Sequence, residues 1–316
     1  MILQFFTFVR PNLWVKFASA FVALLLSLPT AGAGAATIIM DASKPGPAVN
    51  PRMYGIFLEE INHGVDGGLY AELIRNRAFE DSRPPEGYAY RNGAWRDEHG
   101  FDSGFSRYGY TTNGVPFWAL VQEGAARGAM NLQTTGGISE KSAYCLRLDV
   151  QEMPASGESA ALPGRVGVAN SGFFGIGIHK GAVYDLSLFA KRRHDFNGSL
   201  HVRLEDAAGL PCSDEAKFDK LLSDWQLCRA RLTPNKTDPK ARLVILADAK
   251  GSIWLDFVSL FPHKTWKDRT NGLRSDIAQM IADLKPGFVR FPGGCVVEAG
   301  TIETAYNWKL IDRSVG

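Results

Sequence analysis

A change of hydrophobic period partway along the chain limits its fold more than any other feature. From about residue 100 to 262 apolar residues fall on alternate positions. Tyr144, Leu146, Leu148 and Val150 alternate with Cys145, Arg147 and Asp149. Tyr184, Leu186, Leu188 and Ala190 alternate with Asp185, Ser187 and Phe189, and Leu200, Val202 and Leu204 with His201, Arg203 and Glu205. Successive strand side chains point to opposite faces, so each run predicts a half-buried strand with one wet face. Ser156-Gly157, Asn197-Gly198, Ala208-Gly209 and Thr233-Pro-Asn235 supply turns between the runs. Short strands with regular turns and no strong helix between them predict a β-sandwich, with residues 253–260 as its last strand.

The flanks read differently. Residues 51–60 predict a strand that ends in two acids, and residues 66–79 a helix carrying Leu69, Leu73 and Ile74 on one face. Arg83-Pro-Pro-Glu-Gly87 breaks the pattern. Residues 271–285 predict an amphipathic helix, capped by Asn271, stopped by Pro286, and apolar along Leu273, Ile277, Met280, Ile281 and Leu284. A short strand follows at 288–291, and Pro292-Gly293-Gly294 ends it. Helix, stop, apolar strand and glycine-rich loop make an α/β unit.

The first 36 residues predict a secretory signal. Arg10 and Lys16 precede an apolar run at 17–28, Pro29 breaks it, and Ala33 and Ala35 frame a small-residue cleavage site. The run is shorter than the roughly 20 residues that span a bilayer. Export permits disulfides, and Cys212 and Cys228 flank a short stretch. Spacing alone leaves open whether they pair or whether Cys145, Cys212, Cys228 and Cys295 are all free thiols. Beyond Arg10 and Lys16, the remaining 33 Lys and Arg meet 33 Asp and Glu. A body of zero net charge has no overall field to hold nucleic acid or an anionic membrane. Its 45% hydrophobic and 22% charged content is that of a globular protein.

Two places stand out for chemistry. Of Glu59 and Glu60, only Glu59 shares a strand face with Gly55 and Phe57. A carboxylate at the C-terminal end of a barrel strand lies where barrel enzymes keep their sites. The second place is Arg290-Phe-Pro-Gly-Gly-Cys295, where Gly293 and Gly294 allow a ligand or another backbone to approach closely. Glu298 is a further candidate acid. His63 has no second histidine at metal-ligand spacing, which favours a turn or core role. Phe117, Trp118 and Trp225 suit either a sugar-stacking platform or the core.

Taken together, residues 53–63, 67–80, 271–276 and 288–295 resemble the amino-terminal part of α-L-arabinofuranosidases of glycoside hydrolase family 51. The resemblance implies the first strands of a (β/α)8 barrel interrupted by an inserted β-sandwich similar to carbohydrate-binding modules. On this basis residues 1–36 are the signal peptide, 37–82 the start of the barrel, 83–262 the module and 263–316 the continuation of the barrel. The implied activity is an exported, retaining hydrolase. It would release terminal α-L-arabinofuranose from arabinose-containing polysaccharides or oligosaccharides without metal or organic cofactor. Glu59 matches the acid that binds arabinofuranose in the −1 subsite. Cys295 takes the position after the Pro-Gly-Gly turn that also lines the pocket, beside Gly293 and Gly294.

The resemblance also implies two catalytic glutamates about 5–5.5 Å apart, one of them in an Asn-Glu pair. No Asn-Glu dipeptide occurs in the 316 residues. About 100 residues remain outside the leader and the module, against the roughly 250 of a complete barrel. The expectation is an amino-terminal piece with no catalytic residue of its own, an incomplete barrel, a sandwich able to fold alone, and poorly ordered flanks. The alternative is a non-catalytic carbohydrate-binding protein acting through its sandwich.

Overall fold

The computed structural model describes residues 38–82, 87–100, 115–154, 164–294 and 297. The predicted signal segment, Cys295 and Glu298 lie outside them. The chain divides into 1–50 and 51–316. In the first unit Asp41 accepts hydrogen bonds from the Ser43 amide and hydroxyl, at 3.0 and 2.6 Å, and closes a turn. Everything below belongs to the second unit.

Its strands are β1 (Ile56–Phe57), β2 (Ala89–Arg91), β3 (Ala94–Arg96), β4 (Trp118–Gln122), β5 (Arg127–Gln133), β6 (Cys145–Glu152), β7 (Val166–Asn170) and β8 (Ile176–Ile178). They continue with β9 (Tyr184–Arg192), β10 (Leu200–Glu205), β11 (Ala216–Phe218), β12 (Gln226–Leu232), β13 (Asp238–Ala247), β14 (Gly251–Pro262) and β15 (Val289–Arg290). One sheet runs β11-β10-β13-β7-β4, with β8 joining β13. A second runs β12-β9-β14-β6-β5. Both are antiparallel, and one apolar core lies between them.

The predicted alternation places the core correctly. Leu146, Leu148, Leu186, Leu188, Leu200, Val202, Leu204, Ile253 and Leu255 are all buried in it. Strand β10 departs from expectation on its other face, since Arg203 and Glu205 are buried instead of wet. They are buried as pairs. Arg203 donates to Glu123 at 2.6 Å and to Glu205 at 2.7 Å, and Arg165 joins Glu123 to Glu215, both at 3.0 Å. Charges leave water only when matched in this way.

The predicted helix at 66–79 is absent. Residues 69–82 form an irregular strap across the sandwich. Its deeply buried apolar residues, Ala71, Ile74 and Phe79, recur at intervals of three and five, which gives no helical face. Asn76 and Phe79 adopt positive φ, of 50° and 60°, which breaks any regular helix. The strap follows β14 beyond the end of its pairing with β6. Leu73 N–H donates to Leu260 O at 3.0 Å, and Val258 N–H to Arg77 O at 2.9 Å. Asn76 caps the far side, donating to Pro116 O while its own carbonyl accepts from Trp118 Nε1.

The second predicted helix forms as α1 (Ser275–Asp283). Asn271 does not cap it, because Arg274 is the preceding residue and Asn271 sits at φ 49° in the turn before. Lys285, at φ 47°, closes its C-terminal end before Pro286. Its predicted apolar face is only partly covered, with Met280 71% and Leu284 72% exposed. Among the described residues no helix is long and apolar enough to cross a membrane.

Cys145, Cys212 and Cys228 are buried free thiols, so Cys212 and Cys228 are not bridged. Burial pushes the Cys145 thiol up to about 11, and the neighbouring Asp256 charge adds to the effect. Asp256 lies at the bulge of β14 and is itself fully buried. Burial raises its carboxyl to about 7, against the pull of hydrogen bonds from Ile138 N–H and Phe257 N–H at 3.0 and 2.8 Å. A carboxyl that holds its proton more tightly folded than unfolded stabilises the fold fully below pH about 4. That contribution is lost as pH rises to about 7. Stability is therefore expected to fall between pH about 4 and about 7, and the fall to be shallower in Asp256→Asn. Urea unfolding at several pH values checks this; equal slopes in the two proteins would refute it.

Candidate active-site edge at the parallel strand pair

The flanks of the sandwich meet in a separate two-stranded sheet. β1 and β15 are parallel, with Ile56 opposite Val289 and Phe57 opposite Arg290. The ladder runs beyond the strands themselves. Ile56 N–H donates to Phe288 O, Leu58 N–H to Arg290 O and Glu60 N–H to Pro292 O, at 2.9–3.0 Å. Gly287 N–H donates to Tyr54 O at 2.8 Å. Residues separated by more than 200 positions thus emerge side by side at the same sheet end.

Two glycines make this approach possible. A Cβ on Gly55 would fall 2.4 Å from the Phe288 ring. A Cβ on Gly293 would fall 2.4 Å from Glu59 Cγ and 2.7 Å from its Cβ, and Gly293 also adopts φ +137°. Only glycine fits such a backbone against such a neighbour. The turn therefore closes directly onto Glu59, and Gly294 N–H donates to Glu59 Oε1 at 3.2 Å. The Arg290 guanidinium lies 5.0 Å above the Phe57 ring. Beside them Phe57, Phe288 and Phe291 are about half exposed.

Glu60 points elsewhere. Its Oε2 accepts from Val65 N–H and Asp66 N–H, both at 3.1 Å, and so caps the turn that follows β1. Asn62 and His63 occupy that turn at φ 54° and 61°. The His63 ring packs edge-on against Phe173 at 5.0 Å and Phe174 at 5.9 Å. Burial, with Arg75 adding to it, depresses its pKa and favours the neutral ring. This agrees with a turn histidine.

Of the sequence-predicted site residues, Glu59, Gly293 and Gly294 come together, while Cys295 lies outside the described residues. The predicted aromatics disperse. Trp118 is core, 5.3 Å from Phe79. Phe117 lies under Arg75 at 3.6 Å. Trp225 is half-buried with Lys191 Nζ 4.4 Å over its ring. The Arg290–Phe57 stack escaped sequence reading, because its signal appears only once β1 and β15 are known to pair in register.

Gly293→Ala is expected to open the turn, with backbone strain of about 1–3 kcal/mol. Amide exchange reads the opening: unchanged protection of the Glu60 and Gly294 N–H groups in the variant would contradict the close fit of this turn on Glu59.

No family model matches the chain. Curated relatives do. An extracellular exo-α-L-arabinofuranosidase of Streptomyces chartreusis is 33% identical over 93% of this chain and 32% of its own length. α-L-arabinofuranosidase 1 of Arabidopsis thaliana is 34% identical over 87% of this chain and 36% of its own. A solved arabinose-bound family 51 α-L-arabinofuranosidase superposes with a TM-score of 0.62 at 29% identity, covering 84% of this chain and 38% of that one. In sequence this chain is similar to α-L-arabinofuranosidases and in fold to one of glycoside hydrolase family 51, and it spans about a third of the length of these proteins.

Proposed function

We propose that this chain forms part of an exported, retaining α-L-arabinofuranosidase and supplies one wall of its −1 subsite. The parallel pairing of β1 with β15, which brings Gly294 N–H onto Glu59 Oε1, is the observation that carries this reading. On it, β1 and β15 are the first two strands of a (β/α)8 barrel, and the two-sheet body between them is an inserted module. Glu59 is a substrate-binding carboxylate whose orientation the Pro-Gly-Gly turn fixes. Cys295, next along that turn, faces the same pocket. The acid/base and the nucleophile are supplied by sequence outside these 316 residues, in line with the missing Asn-Glu pair and the third of the relatives' length that is covered. Export is supported by the leader-like first 36 residues and by the extracellular Streptomyces relative.

The exposed apolar residues at this end fit the same reading. Phe288, Val289 and Phe291 of the strand segment, Met280 of α1 and Leu284 just past its end stand open. Further barrel strands and helices would cover them, since a parallel pair is stable only inside a larger sheet.

The test is an assay on 4-nitrophenyl α-L-arabinofuranoside. The 316-residue chain is expected to be inactive, and a protein extended through the downstream reading frame active. In the extended protein Glu59→Gln is expected to lower kcat/KM by at least 100-fold, as a lost charge-assisted hydrogen bond to substrate does. Turnover by the 316-residue chain, or none by the extended one, would contradict the proposal.

A further inference from the structure

The face of the five-stranded sheet that points away from the core ends in a cleft of about 760 Å³. Part of its floor is the paired β9 and β12. Arg231 stands opposite Asp185 and Arg229 opposite Ser187. Two positions apart on one strand, the arginines present their side chains on one face. The rim is the turn after β14, with His263, Lys264 and Arg269.

The charges do not cancel. Asp185 is shared between Arg231 Nε at 3.1 Å and His263 Nδ1 at 2.7 Å. Asp268 is the other carboxylate of the lining. Among the described residues Arg229, Lys264 and Arg269 have no carboxylate partner. Four permanent cations thus meet two carboxylates, within a body whose basic and acidic residues balance. Walls of low dielectric focus such a local excess on whatever enters. Between the cations stand neutral hydrogen-bonding side chains, Ser187, Thr270 and Asn271.

We propose that this cleft binds a carboxylate-bearing sugar unit, a uronate, within a polysaccharide. The guanidinium groups match a carboxylate and the neutral groups match sugar hydroxyls. The volume suits a sugar-sized ligand better than a bare inorganic anion. The proposal rests on the reading above only in taking a polysaccharide as the ligand. It concerns binding by the sandwich, so it is tested without turnover.

The experiment is calorimetric titration of the 316-residue chain with trigalacturonate, its methyl ester, neutral arabinotriose and inorganic phosphate. Trigalacturonate is expected to bind at least tenfold more tightly than its ester and than arabinotriose, and to weaken at least tenfold from 50 to 500 mM NaCl. The exposed double variant R229Q/K264Q is expected to lose at least tenfold, and Lys250→Gln, outside the cleft, to bind as the parent does. Equal binding of ester and acid, equal binding by the double variant, or phosphate binding as tightly as trigalacturonate would overturn the proposal. Arabinofuranoside turnover by the extended protein is scored separately, so either idea can fail while the other stands.

Discussion

Glu72→Leu is expected to destabilise the protein by about 3–5 kcal/mol, because it removes the anchor of the strap. Glu72 is 2% exposed. Its Oε1 accepts from the backbone N–H groups of Leu73, Ile74 and Leu260, each at 3.0 Å. Its Oε2 accepts from Ser259 Oγ at 2.6 Å and from Arg77 at 3.4 Å. Burial raises its pKa, and the Ser259, Leu260 and Ile74 hydrogen bonds oppose that rise. Leucine fills similar space but leaves the Ile74 and Leu260 N–H groups and the Ser259 hydroxyl without that acceptor, each costing about 1–3 kcal/mol. Glu72→Gln keeps an acceptor oxygen and is expected to lose less than half as much. Urea midpoints at pH 7 compare the three proteins. A loss below 1 kcal/mol in Glu72→Leu would show that the strap is not held in this way.

Phe79→Ala is expected to cost about 3–5 kcal/mol, the range for a buried aromatic truncated in a core. The ring is 0% exposed and belongs to the same apolar cluster as Leu146, Leu204 and Ile253. Alanine leaves a void beside Trp118 that close-packed neighbours fill only in part. Residue 79 lies before the break at 83–87, so its side chain counts as sandwich core although its place in the chain is in the flank. A chain beginning at residue 83 lacks Glu72, Ile74 and Phe79 together. It is expected to unfold at a much lower urea concentration than one beginning at residue 51. Equal midpoints would contradict the strap's role.

These effects mark where the sequence was readable and where it was not. Strands β6, β9, β10 and β14 announced themselves through a two-residue period, because a sheet facing a core on one side must alternate. The pairing of residues 53–59 with 288–291 followed from resemblance, and the β1–β15 register agrees with it. The strap was misread because Leu69, Leu73 and Ile74 imitate a helical face. What fixes its true course is tertiary, namely Glu72 finding Ser259 and Leu260 some 187 residues away. Such a partner leaves no local trace in the sequence. For the same reason Arg203 and Glu205 looked wet, since their burial depends on Glu123, Arg165 and Arg242 from distant segments. At the candidate site Glu59 and the two glycines were legible as a carboxylate and a bare turn. Their meeting came only through the resemblance, because composition and spacing alone cannot bring two distant segments into one register.

That meeting is most directly tested by cysteine cross-linking. Phe57→Cys with Arg290→Cys places thiols on registered neighbours, at the strand spacing of about 5 Å that a disulfide bridges. Mild oxidation is expected to join them nearly completely, as it should join Ser187→Cys with Arg229→Cys, registered partners within the sandwich. Phe57→Cys with Leu284→Cys is expected to stay open. A sandwich pair that closes while the 57–290 pair stays reduced would mean that β1 and β15 are not parallel neighbours, and the active-site reading would fall with them.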